Sequence, residues 1–99
     1  MRWDQNQVEE LKKEIQKELG HSYVKVRPFG QHLLIQREEG KEGETVARIT
    51  PTGKKDHYTA AFRNHMGRYE PLPCEGNLLE VGSLIATLLE PYFDPTPFD

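Results

Sequence analysis

The chain holds one cysteine, Cys74, so no disulfide can close within it and nothing in the cysteine content argues for secretion. No apolar run approaches the roughly 18 residues of a membrane span. The longest, residues 84–89, is interrupted by Thr87, and no charged-then-apolar leader opens the chain. These absences lead to the expectation of a soluble, cytoplasmic protein with no membrane partner. There is no glycine-rich phosphate loop after a strand, no nucleophile elbow and no paired acid motif. The histidines His21, His32, His57 and His65 stand in no paired ligand spacing, so neither a metal nor another cofactor is expected. Lysine and arginine vanish after residue 69. Residues 70–99 carry six acidic side chains and no basic one (−6), whereas residues 21–69 carry nine basic against five acidic (+4) and residues 1–20 four against five (−1). A basic middle and an acidic end can attract each other within one molecule, between copies, or through separate partners.

What is present fits one domain over residues 1–99, with residues 91–99 as a proline-rich C-terminal tail. At this length a chain buries roughly two-thirds of its unfolded surface, enough for two layers around one core. The apolar share is 35% of residues, so the core has to come from few, well-placed side chains.

Residues 77–90 are the most apolar stretch and read as a helix. At about 100° per residue, Leu78, Leu79, Val81, Leu84, Ile85, Ala86, Leu88 and Leu89 cover an arc of about 220°, twice what a surface helix needs. Asn77, with Glu80 three residues on, supplies the start, and Pro91 the stop. An earlier helix begins at Asp4, with Gln7 completing a capping box and Trp3 and Val8 placed as a hydrophobic staple. Its apolar stripe, Val8, Leu11, Ile15 and Leu19, is narrow, and Gly20 ends it.

Between the helices the period falls to two. Residues 23–27 and 32–36 predict a hairpin with a loop at residues 28–31, setting Val26 opposite Leu33 and Val24 opposite Ile35. Residues 38–44 read as a mobile hydrophilic turn. Strands follow at residues 45–50, 58–63 and 68–72, the last restricted to an edge by Pro71 and Pro73. The expected fold is α+β: a helix, an antiparallel meander of four to five strands and a helix, in two layers with both helices on one sheet face. This order of elements identifies no family by itself.

Two surfaces then stand out. On the sheet face left open, Lys25, Arg27, His32, Arg48 and Arg63 gather beside Tyr23, a set suited to phosphate contact and base stacking in nucleic acid. Long basic stems also serve simply to cover an exposed face. The second surface is the over-wide helix, where Leu79, Ile85, Leu89, Tyr92 and Phe93 form a candidate interface for self-association. Either the tail aromatics close over the helix or a second copy does. The leading expectation is a non-enzymatic binding module that forms a homodimer, with nucleic-acid binding as the alternative. A remote third is a small Cys/His enzyme, which requires the last two strands to pair so that His57 faces Cys74.

Overall fold

The computed structural model describes residues 3–39 and 42–93. Helix α1 spans Gln5–Leu19 and starts as expected, with Asp4 accepting from the Asn6 amide and the Gln7 side chain returning to the Asp4 amide. Trp3 packs against the core with its ring 5.8 Å from that of Tyr58. Val8, Leu11, Ile15 and Leu19 are the buried stripe, and Gly20 closes the helix in the left-handed conformation at φ 79°.

Five antiparallel strands follow in a simple meander: β1 Val24–Phe29, β2 His32–Glu39, β3 Glu42–Pro51, β4 Tyr58–Arg63 and β5 Tyr69–Gly76. Helix α2 spans Leu78–Leu88, capped by Asn77 with Glu80, and the short α3 spans Glu90–Phe93. Helix α1 packs on β1 and α2 on β4 and β5, and the two helices pack on each other, so both cover one side of the sheet. Between the layers lie Leu11, Ile15, Val24, Leu33, Ile35, Ala47, Ile49, Val81 and Ile85, all fully enclosed. Gly82 sets the helix spacing: a Cβ there would overlap the Cδ1 of Leu11.

Three expectations about the strands are corrected. Val26 faces Ile35 and Val24 faces Arg37, because Pro28 and Phe29 belong to β1 and the turn is only Gly30-Gln31, with Gly30 at φ 60°. The register therefore moves by two residues, which leaves every side chain on its expected face. Residues 38–44 are not simply a loop. Strands β2 and β3 run into them as a ladder, with an Arg37–Glu44 ion pair of 3.4 Å across it. Strand β5 continues through Pro71 and Pro73 to Gly76, because it is an edge strand and a missing N–H on its outer side breaks no ladder bond. Pro28 enjoys the same tolerance on the opposite edge strand, β1.

The tail also differs from expectation at its start, where residues 90–93 form a helical turn that carries Phe93 into the core. Tyr92 stays half exposed with its ring 5.0 Å from Phe62. The remainder of the tail, Phe98 included, lies outside the described residues.

Candidate functional site

Alternation along the strands decides what the open side of the sheet presents. Since Val24, Leu33, Ile35, Ala47, Ile49 and Ala60 point at the helices, their neighbours Lys25, Arg27, His32, Leu34, Arg48, Thr50, Thr59, Ala61 and Arg63 point away. Phe29 faces His32 on this side and is 60% exposed, and Tyr23, whose carbonyl accepts from the Glu38 amide, continues the alternation. Arg27, Leu34, Arg48, Ala61 and Pro71 form one row across all five strands. Arg27 and Arg48 are two strands apart on it, about 10 Å at the usual strand spacing. All five residues anticipated for a basic face, Lys25, Arg27, His32, Arg48 and Arg63, thus share one side of the sheet.

Toward the β5 edge of this face lies a hollow of about 750 Å³, lined by His32, Arg48, Thr50, Thr59, Tyr69 and Glu75 among others. Its origin is a mismatch between the last two strands. The two steps from Thr59 to Ala61 on β4 are met by four steps from Glu75 to Pro71 on β5, so the edge strand bows outward there. On one wall the Arg48 guanidinium lies 4.0 Å from the centre of the Tyr69 ring, a cation–π stack. Its Nε is buried and meets no acceptor. On the other wall His32 Nδ1 and Thr50 Oγ1 are hydrogen-bonded at 2.8 Å, and Thr59 Oγ1 donates weakly to the Thr50 carbonyl. Burial, and then the nearby Arg48 charge, push the His32 pKa below its ordinary value near 6.5. At neutral pH His32 therefore presents a hydrogen-bonding ring to the hollow and adds no charge.

Sequence reasoning missed Tyr69 and Phe29 as members of this face. Phe29 was assigned to a loop that is in fact strand. Tyr69 faces Arg63, and Glu70 faces Phe62. The signal was present: a three-residue loop, His65-Met66-Gly67, with Gly67 left-handed at φ 82°, closes Asn64 against Arg68 and sets Tyr69 opposite Arg63.

The same register removes the Cys/His couple. Thr59 faces Glu75 and Tyr58 faces Gly76, so the ladder does not bring His57 opposite Cys74. His57 instead bonds Thr52 Oγ1 through Nδ1 at 2.8 Å and lies 3.8 Å from Glu75 through Nε2. Cys74 is buried, and burial raises its thiol pKa, the reverse of what a nucleophile needs.

The candidate interface on the helix side is also revised. Ile85, Leu89 and Phe93 are sealed in the core of the single chain and leave the surface set. One half of the over-wide apolar arc faces β4, β5 and α1, and α3 closes its end. Leu79 and Tyr92 do remain exposed, joined by Leu84 at 39% and Leu88 at 46% exposure. The hollow over this side, about 590 Å³, is bounded by Glu14, Glu75, Leu79, Glu80 and Leu84.

The fold and the site together define an open-faced α+β module, with one sheet side sealed by helices and the other offering guanidinium groups and rings. Set against family models, curated proteins and solved structures, the chain matches none. Among the described residues no helix is long and apolar enough to cross a membrane.

Proposed function

We propose that the protein binds single-stranded nucleic acid on the open face of its sheet. The observation that carries this reading is the Arg48–Tyr69 stack, with an acceptor-less Nε, in the same cross-strand row as Arg27. Guanidinium groups bond phosphate oxygens in a way that ignores sequence, and exposed rings stack any base. Lys25 and Arg63 extend the cationic surface, Phe29 and Tyr23 supply rings at its β1 margin, and Thr50 and Thr59 offer hydroxyls inside the hollow. A flat or hollowed sheet admits splayed bases where a duplex groove reader needs a protruding helix. Of the acidic residues after position 69, Glu80 on α2 and Glu90 on α3 stand on the helix side of the sheet. Glu75 is the acidic group that remains at the margin of the hollow. Association and release are enough for this role, and no bond-making chemistry is invoked.

Fluorescence anisotropy with labelled single-stranded DNA and RNA, stepped through salt, tests the reading. Neutralising three or four phosphates gives a log–log salt slope of roughly −2 to −3 for single strands. Arg27→Glu with Arg48→Glu is expected to weaken binding at least tenfold at the lowest salt. If the unaltered protein does not bind even at low salt, the proposal fails.

A further inference from the structure

Beyond ligand binding, we infer that copies of this chain stack front to back, the outer face of α2 on one molecule seating on the open sheet face of the next. The occupant of each face is therefore a second copy, and the argument comes from how charge and apolar surface are shared between the two sides.

The large hydrophobic side chains exposed among the described residues fall into two groups on opposite sides of the two-layer fold. Leu79, Leu84, Leu88 and Tyr92 lie on the helix side, and Phe29 and Tyr23 on the open sheet side, leaving only Met66 in a turn. The two borders differ in net sign, although Glu75 touches both hollows and α1 brings Lys12, Lys13 and Lys17 to the helix side. Glu80 and Glu90 stand on α2 and α3, with Glu75 and Glu14 at the edge of the hollow there, and residues 70–93 contain no Lys or Arg. The sheet side carries Lys25, Arg27, Arg48 and Arg63.

These signs decide the geometry. A two-fold dimer through α2 brings the carboxylates of residues 70–93 toward each other, and the three lysines of α1 are outnumbered by its own four glutamates. A two-fold dimer through the sheet brings guanidinium groups together. Front-to-back contact sets the net acidic helix side against the cationic sheet side, whereas either two-fold arrangement sets like net charge against like. Phe29 is the protruding apolar residue of the front, and the hollow between Leu79 and Leu84 is the receiving feature of the back. Such a contact is heterologous, so it leaves a free face at each end and extends into a ring or an open stack. It also occupies the surface assigned above to nucleic acid, although it does not depend on that reading.

The test is sedimentation velocity in low salt, without nucleic acid, on the full chain and two variants altered only at exposed positions. The front variant is Arg27→Glu with Arg63→Glu; the back variant is Leu84→Lys with Leu88→Lys. The unaltered chain is expected to gain mass with concentration above its 11.5 kDa and to lose it as salt is added. Each variant alone is expected to stay monomeric. Their equimolar mixture is expected to form a one-to-one dimer, because the back variant's intact front meets the front variant's intact back; that dimer also shows that both variants fold. An unaltered chain that remains at monomer mass throughout overturns the inference. So does a mixture that stays monomeric, or a front variant that still dimerises alone, which marks a symmetric contact through α2.

Discussion

On the helix side of the sheet, Val24, Leu33, Ile35, Ala47 and Ile49 are fully enclosed, and the same strands one residue along present Lys25, Arg27, Leu34 and Arg48 to the other side. The first group is held by close packing, where volume is fixed and each methylene is felt. The second is held by the backbone ladder it stands on and, at Arg48, by the stack on Tyr69. The difference teaches that one stretch of chain can carry two independent properties: stability depends on one parity of residue, and the recognition proposed above depends on the other. Substitutions should therefore separate the two, and their effects on folding can be ranked by side.

The largest loss is expected inside. Ile85→Ala empties a fully buried site between α2 and the sheet and should cost about 2–5 kcal/mol in urea unfolding. Leu88→Ala, one turn away but exposed, should change stability by less than about 0.5 kcal/mol. If the two changes cost the same, the division between sides fails. Gly82→Ala comes next. Its added methyl meets Leu11 at the α1–α2 crossing and should destabilise by about 1–3 kcal/mol. Asn77→Ala removes the cap from α2 and should cost about 1 kcal/mol, measurable as a lower urea midpoint at unchanged slope.

A smaller effect tests the open side itself, where His32 lines the hollow. Its folded pKa lies below the ordinary value near 6.5, so on acidification the unfolded chain takes up the proton first. Stability should therefore fall slightly as pH drops through 6.5 and level off below the folded pKa. His32→Asn should remove that part of the slope in pH-stepped denaturation, and an unchanged slope would assign it elsewhere. At the bottom of the ranking, Arg27→Ala should leave the urea midpoint almost unmoved while weakening nucleic-acid binding.

The helices were legible because their signals are local. Asp4 with Gln7, Asn77 with Glu80 and Gly20 each act within one turn, and all three appear where the sequence puts them. The face of each strand was legible for a related reason: an error of two in register, as between Val26 and Ile35, preserves parity. What failed were features set by loop length and strand mismatch. A two-residue turn at Gly30-Gln31, a bowed β5 opposite Thr59 and Ala61, and the extra residue Val46 between pairs Ile35–Ala47 and Gln36–Thr45 have no counterpart in hydrophobic period. The hollow could not be foreseen, since it exists only because β5 takes four steps where β4 takes two. Nor could the sequence say which leucines of the over-wide arc face inward. That depends on where α1 and α3 come to rest against it.

The prolines of the outer strands reach further than the ladders they interrupt. With Pro28 on β1 and Pro71 and Pro73 on β5, a strand arriving from outside meets an incomplete row of donors at either margin. Lateral widening of the sheet, the route by which exposed edges seed cross-β fibres, is thereby discouraged on both flanks, and a sheet left bare on one side is kept from growing in its own plane.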